Sequence, residues 1–199
     1  MRRNGDEVDQ SQDLAPLLQA AATGDPGAWQ ELVTRYSRRV FALAKSRCRN
    51  DDVAEDITQS VFVTVAAKLG GGEYSEQGRF ESWLFRVAMN RVRDLLRRNR
   101  RHPAQSDVGI AQDRCEAPVE ANPLDLDSFQ RLRAAMQTLS DVDREIIELR
   151  HHGGLSFKQM SEVLDEPVGT LLARHHRALR KLRDTLEPAS LVHNAEVHQ

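Results

Sequence analysis

Residues 78–101, GRFESWLFRVAMNRVRDLLRRNRR, combine an apolar repeat of helical period with a heavy load of positive charge. When the chain advances by about 100° per residue, the apolar residues of this stretch gather on one broad side of a helix. That side is predicted to be a core face. Its members are Leu84, Val87, Ala88, Val92, Leu95 and Leu96.

The opposite side of the same helix is basic. Eight arginines stand against two acidic residues, which gives the segment a formal charge of about +6. A solvated basic face is the plain alternative, since charge runs are common on helices. Here, however, aromatic rings and an amide lie among the arginines. Guanidinium groups pair with phosphates, rings stack on bases and amides read base edges, so the pattern favours nucleic acid as the partner.

The composition fits one medium-sized domain or two small ones, because the chain has 199 residues of which 40% are apolar. Its formal net charge is only −2, so the positive charge is concentrated in two segments and balanced by acidic ones elsewhere. This segregation indicates oriented binding rather than general coating of nucleic acid.

The sequence indicates neither a metal site nor a membrane span. Cys48 and Cys115 are far apart and have no CxxC partner, so we expect free thiols in a reducing compartment and no zinc or disulfide framework. The N-terminus lacks the apolar core of a signal peptide, and no run approaches the roughly 18 apolar residues of a membrane helix. We therefore expect a cytoplasmic protein without a cofactor or metal.

A second helix with a distinctive surface is predicted at residues 51–69, capped by Asn50 or Asp51. Its first turns are acidic, as expected near the positive end of a helix dipole. Taken alone, this helix has a purely structural explanation: the acidic residues stabilise its N-terminus, and one Phe is partly exposed. In context its outer surface is a candidate protein-docking face, made of Asp52, Glu55, Asp56, Gln59 and Phe62.

The predicted organisation is all-α, with two small helical domains joined by a linker. Residues 1–13 and 187–199 are predicted to be disordered, residues 14–101 form the first domain and residues 128–186 form the second. Residues 102–127 lack periodicity, contain three prolines and carry six acidic residues against one arginine, which indicates a flexible linker. Its acidic excess would screen the basic faces in the free protein.

The second domain ends in a short helix, a tight turn and a longer basic helix, the proportions of a helix-turn-helix. Ser156 and Gln159 form a capping box for the short helix, and residues 165–167 break the chain. The long helix is predicted to bury Val168, Leu171, Leu172, His175, Leu179 and Leu182. Its outer side carries Thr170, Arg174, Arg177 and Lys181, with His176, Arg180 and Arg183 at the flanks.

Three motifs in this order resemble bacterial RNA polymerase sigma factors of the extracytoplasmic-function group. Residues 51–62, DDVAEDITQSVF, look like the region 2 helix that docks on the β′ clamp helices. Residues 79–98, RFESWLFRVAMNRVRDLLRR, look like the part that opens and reads the minus-ten element, with Asn90 where the family commonly captures a flipped base. Residues 155–182, LSFKQMSEVLDEPVGTLLARHHRALRKL, look like the region 4 helix-turn-helix that reads the minus-thirty-five element.

The resemblance implies a role for each candidate residue. It implies core RNA polymerase, through the β′ clamp helices and the β flap, and promoter DNA as partners, together with a possible anti-sigma factor. The implied minus-ten residues are Tyr74, Phe80, Trp83, Arg86, Asn90, Arg93 and Arg97. The implied minus-thirty-five residues are Thr170, Arg174, His176, Arg177, Arg180 and Lys181.

The chain departs from the family pattern at three positions. Ser60 stands where the family usually has Glu, which would soften the docking contact. Leu172 and Ala173 stand where a basic residue and a Ser or Thr are common, so the promoter sequence does not carry over from other members.

Two other function classes compete with this interpretation. A helix-turn-helix regulator that acts without polymerase would explain the second domain but would leave the first one unused. An enzyme is disfavoured, because the chain lacks clustered carboxylates, a phosphate-binding glycine loop and a nucleophile with its base.

Overall fold

A computed structural model describes residues 14–75, 77–101 and 123–187, which form helices and no strands. The first group of helices is α1, Leu14–Ala22; α2, Pro26–Cys48; α3, Asp51–Gly70; and α4, Phe80–Arg101. The second group is α5, Pro123–Gln137; α6, Asp141–His151; α7, Phe157–Leu164; and α8, Val168–Leu186. The all-α prediction is confirmed.

Side-chain caps fix where several helices begin. Asp25 accepts a hydrogen bond from the backbone N–H of Ala28 at 2.7 Å, ahead of a proline at the start of α2. Asn50 caps α3 through the N–H of Val53 at 3.0 Å. The capping box predicted for Ser156 and Gln159 is present at α7, with both of its hydrogen bonds.

Helices α1 to α4 pack around a core that the helical period predicts only in part. Leu84, Ala88 and Val92 of α4 are buried as expected, whereas Val87, Leu95 and Leu96 are partly buried. Phe85 and Met89, which the prediction omitted, are fully buried. Helix α4 therefore buries a second apolar stripe in addition to the predicted one.

Helices α5 to α8 differ from the prediction at two places. Helix α5 begins at Pro123, inside the segment predicted to be linker. On α8 the buried residues are Leu171, Ala178 and Leu182, whereas Val168, Leu172 and Leu179 are between 36% and 40% exposed. Helices α5, α6 and α7 cover only a narrow stripe of α8. The residues at the edges of the face that was predicted to be buried therefore remain in water.

The two helix groups share one hydrophobic core, because α4 packs against α7 and α2 packs against α6. Leu84, Phe85 and Met89 of α4 belong to the same buried cluster as Met160 and Val163 of α7. The second stripe of α4 is therefore buried by the C-terminal helices. The predicted two helical domains are present, and in this structure they are in contact with each other.

Some predictions fall outside the described residues, namely those for residues 1–13, for the acidic segment 102–122 with its Cys115 and for residues 188–199. The remaining cysteine, Cys48, is a buried free thiol. Burial raises the pKa of Cys48 to about 11, which keeps the thiol protonated and unreactive. Among the described helices, none combines the length and apolar character needed to cross a membrane.

We predict that Met160→Ala destabilises the protein by about 2–5 kcal/mol, because it leaves a cavity where the two helix groups meet. Val63→Ala, at a residue that is 69% exposed, is the control and should change stability by less than about 0.5 kcal/mol. Urea unfolding followed by circular dichroism measures both. Equal stability of the two variants would show that α7 does not contribute to the core of α4.

Candidate nucleic-acid and protein interfaces

Helix α4 presents three different faces around its circumference. One apolar face, with Leu84 and Ala88, packs on α2 and α3. A neighbouring face carries Phe85, Met89 and the side chains that contact the C-terminal helices. The third face is exposed and carries Asn90, Asp94 and Arg97, with half-buried Trp83 at its upstream end.

The aromatic residues at the start of α4 form a packed cluster. Phe80 is 2% exposed and contacts the rings of Tyr36, Tyr74 and Trp83 at centroid distances of 5.5–5.8 Å. The Tyr74 and Trp83 rings lie 4.6 Å apart with a tilt of 35°. Phe80 is thus a core residue that supports the other two, and its predicted contact with DNA is incompatible with this burial. Tyr74 and Trp83 remain half-buried at the surface.

Two of the predicted DNA-binding arginines of α4 are engaged by the C-terminal helices. Arg93 donates to both carboxylate oxygens of Glu145 on α6, at 3.2 and 2.7 Å. These hydrogen bonds raise the pKa of Arg93. Arg86 donates to the backbone carbonyl of Glu162 on α7. Asn90 is exposed. Within the described residues it makes no hydrogen bond, and Arg97 there pairs only with Asp94, at 3.6 Å.

A buried charge cluster joins α2 to α6. Arg47, with a side chain that is 5% exposed, lies 3.4 Å from Glu148 and 3.7 Å from Glu145. Burial raises the pKa of Glu148 to about 7, against the opposing effects of Arg47 and Arg144. The Nε atom of Arg47 has no hydrogen-bond partner in the described part of the chain. The charges of the cluster are therefore paired, but one buried N–H group of Arg47 is left without a hydrogen bond.

A polar strip continues this contact toward the start of α4. Arg39 donates to the carbonyl of Gly153 at 3.0 Å and to Glu81 at 2.7 Å. Gln159 of α7 donates to the other carboxylate oxygen of Glu81 at 2.7 Å. The partners that connect the two helix groups were not found from the sequence, since they lie at least 52 positions apart along the chain.

The outer side of α8 carries the second set of predicted DNA-binding residues, and two of them are partnered. Arg174 contacts both oxygens of Glu166 at 2.7 Å, and Lys181 donates to the carbonyl of Thr138. The others are exposed: Thr170, His176, Arg177 and Arg180. The exposed side also includes Gly169 and Ala173, whose small size leaves its first turns open to a close approach.

The outer surface of α3 has the predicted acidic rim but a different apolar residue. Asp52, Glu55, Asp56 and Gln59 are exposed, whereas Phe62 is half-buried against the core. Val63, at 69%, is the most exposed large apolar side chain of the described residues. Its position four residues after Gln59 places it on the acidic face, so the helical period could have identified it.

Four histidines lie near the helix-turn-helix without forming a metal site. The ring of His175 stacks on His151 with centroids 6.1 Å apart and contacts Phe157 at 5.3 Å, so it packs internally as expected. Burial, followed by the charges of neighbouring residues, lowers the pKa of His175 and of His152. The described residues contain no group of three or more His, Cys, Asp or Glu side chains arranged to hold a metal ion.

Comparison with protein-family models finds two matches that coincide with the two helix groups. Residues 32–102 match Sigma-70 region 2, and residues 129–182 match Sigma-70, region 4. The first match includes α3 and α4 together with the exposed surfaces described above. The second match includes α6, α7 and most of α8.

Curated relatives match the chain over most of its length. The ECF RNA polymerase sigma factor SigE of Mycolicibacterium smegmatis is 31% identical over 92% of this chain and 72% of the relative. The RNA polymerase sigma factor CarQ of Myxococcus xanthus is 32% identical over 82% of this chain and 91% of the relative.

Solved structures show the same fold. CnrH, in complex with the cytosolic domain of CnrY, aligns with a TM-score of 0.64 at 25% identity, over 86% of this chain and 96% of that one. The sigma factor RpoE of Bartonella quintana, in complex with the anti-sigma factor NepR, aligns with a TM-score of 0.60 at 24% identity, over 90% of this chain and 97% of that one.

We predict that the raised pKa of Glu148 makes the protein less stable as the pH rises toward and above 7. The folded-state pKa of Glu148, about 7, exceeds the ordinary glutamate value of 4.5. The contribution of Glu148 to stability is therefore fully present below the unfolded pKa and is lost as pH rises through the folded pKa. Urea unfolding of the wild type and Glu148→Gln at about pH 5 and about pH 8 measures it.

The lowered pKa values of His152 and His175 make the protein more stable as the pH rises. This effect is the same in the wild type and in Glu148→Gln. The difference in unfolding free energy, wild type minus Glu148→Gln, isolates the carboxylate and should fall between the two pH values. A difference independent of pH would mean that Glu148 is ionised in the folded protein.

Proposed function

Because the chain belongs to the sigma-70 family, as a sigma factor of the extracytoplasmic-function group, we propose that it binds core RNA polymerase and directs initiation at specific promoters. The observation that carries this proposal is the coexistence on one chain of an aromatic, amide and arginine surface, a helix-turn-helix and a third, protein-docking surface. A regulator that binds duplex DNA by itself would need only the helix-turn-helix. The role is one of binding rather than catalysis, exerted in the cytoplasm where polymerase and promoter DNA are found.

We assign minus-ten recognition to the exposed face of α4. Trp83 and Asn90 are separated by seven residues, or about 10 Å along a helix at about 1.5 Å per residue. Bases in one strand are about 3.4 Å apart, so this distance corresponds to about three nucleotides. The ring and the amide therefore contact different bases of an opened strand. Tyr74 supports the ring of Trp83, and Arg97 supplies a phosphate contact. Arg86 and Arg93 supply such contacts only where phosphate replaces their partners Glu162 and Glu145.

We assign minus-thirty-five recognition to the exposed side of α8. Arg177 and Arg180 make no ion pair within the described residues and can reach phosphates or guanine edges. Thr170 and His176 lie beside them at the surface. Arg174 and Lys181 already have partners in the protein, so we expect them to support the helix more than to read bases. Leu172 and Ala173 offer an apolar surface suited to thymine methyl groups.

Docking on polymerase is assigned to the outer face of α3. An exposed valine surrounded by carboxylates fits a basic partner surface with an apolar depression, because an apolar anchor with a charged rim is the common anatomy of a protein interface. Asp52, Glu55, Asp56 and Gln59 form the rim, and Val63 supplements Phe62 as the apolar contact. The β′ clamp helices are the proposed partner here, and the β flap is proposed for the C-terminal helices. An anti-sigma factor stays a prediction of the family resemblance.

We predict that Asn90→Ala and Arg177→Ala each abolish or strongly reduce specific initiation while leaving polymerase binding intact. Run-off transcription with purified core RNA polymerase, on fragments from upstream of the protein's own gene, measures initiation. Arg35→Ala is the control, since Arg35 is an exposed arginine that pairs with Glu31 of the same helix, α2. Duplex binding without any polymerase-dependent initiation or core binding would instead support the independent regulator.

We predict that Val63→Lys weakens binding to core polymerase by about tenfold or more, since it places a charge at the apolar centre of the docking face. Val33→Lys, at a valine of α2 that is 39% exposed, is the matched control and should bind normally. Fluorescence anisotropy of the labelled protein, titrated with core polymerase, compares the two. Equal losses from both variants would exclude α3 as the docking face.

A further inference from the structure

The first two turns of α8 expose side chains that are mostly apolar or small. A single hydroxyl group lies among them, and the exposed residues are Val168, Gly169, Thr170, Leu172 and Ala173. In a helix-turn-helix the residues near the start of the second helix contact the base edges. The part of α8 that is placed to meet the bases therefore offers an apolar surface with little capacity for hydrogen bonding.

The arginines of α8 do not supply the missing hydrogen bonds at this level. Arg174 is half-buried and donates through Nη1 to both carboxylate oxygens of Glu166 at 2.7 Å. Arg177 and Arg180 are exposed, but they follow Leu172 by five and eight residues. These separations correspond to about 7.5 and 12 Å along a helix. Within the described helix α8, no unengaged arginine therefore stands at the level of Leu172.

The surroundings of Leu172 indicate that a DNA groove covers its side chain. Gly169 lies one turn before it, and a Cβ atom added there would have no neighbour within 4 Å, so this side of α8 is open to a close approach. From Pro167 to Arg183 the sequence contains no acidic residue that would repel phosphates. An apolar spot in such a basic surface fits DNA better than it fits a protein, because protein–DNA interfaces are the more positively charged kind.

We propose that Leu172 is a specificity-determining residue that reads the C5-methyl group of a pyrimidine in the major groove. Thymine presents this methyl group at its edge, and apolar side chains recognise it by contact. A 5-methylcytosine carries its methyl group at the same ring position and would be read in the same way. The inference rests on the proposed function and names what this part of the minus-thirty-five surface recognises, a methyl group rather than a pattern of hydrogen-bonding groups.

The size of a methyl contact makes the proposal measurable. Burial of one methyl group changes affinity by about fourfold. Uracil differs from thymine by this methyl group alone, and cytosine differs from 5-methylcytosine in the same way. The hydrogen-bonding groups of the base edge are the same within each of these two pairs. Comparison of their affinities therefore isolates the methyl group.

The test begins with selection of duplexes from a random-sequence library by the full chain, first alone and then with core polymerase added. We expect the selected element to contain a thymine on one of its strands. Each thymine of the selected duplex is then replaced in turn by deoxyuridine, or its pair by a cytosine–guanine or 5-methylcytosine–guanine pair. Fluorescence anisotropy of the labelled duplexes measures the affinities. At the position read by Leu172, deoxyuridine should bind about fourfold more weakly than thymine, and 5-methylcytosine about fourfold more tightly than cytosine.

Leu172→Ala removes the proposed reader, and Leu179→Ala is the matched control. Leu179 is also an exposed leucine of α8, seven residues further along the helix. We expect Leu172→Ala to reduce both methyl effects to less than about twofold, whereas Leu179→Ala and the conservative Leu172→Met retain them. Each methyl effect is a ratio of two affinities of the same protein, so a general loss of stability does not produce this result.

Three results overturn the proposal. The first is deoxyuridine that binds as well as thymine at every position, which would assign the exposed Leu172 to a protein contact instead. The second is a methyl effect of unchanged size in Leu172→Ala. The third is a selection that enriches no sequence, with or without polymerase.

The methyl comparison is separate from the transcription assay. A chain that selects a methyl-dependent element but never binds polymerase would overturn the sigma function and retain the reading by Leu172, as in a regulator that acts alone. A chain that initiates transcription specifically but is indifferent to the methyl group would do the reverse.

Discussion

The structure depends on one helix, α4, which contacts three different environments around its circumference. Its first stripe fills the core of the N-terminal group, its second stripe packs on α7 and its remaining surface is exposed. The turn of an α-helix provides room for three such stripes, because side chains every three or four residues share a face. The boundary between the second and third stripes runs between Met89 and Asn90, so any movement of α7 directly changes the surroundings of the exposed face.

The arrangement of charge across this boundary explains why the contact is specific. Each arginine that meets α6 or α7 finds an acceptor, which fixes the register of the two groups. Pairing in a partly dry environment adds little net stability, because both partners lose water when they are buried. Most of the attraction therefore comes from apolar burial around Met160, Phe85 and Met89. The ion pairs determine which surfaces meet, and the apolar residues determine the stability of the contact.

The sequence predicts local features well because their causes are local. The caps at Asn50 and Ser156, the all-α class and the basic side of α4 follow from residue types at fixed spacing. The sequence could not show that Arg86 and Arg93 are engaged by α7 and α6, since those partners lie at least 52 positions away. The burial of Phe85 and Met89 has the same distant cause. The exposure of Leu172 and Leu179 was missed because periodicity gives the direction of a face but not the width that its neighbours cover.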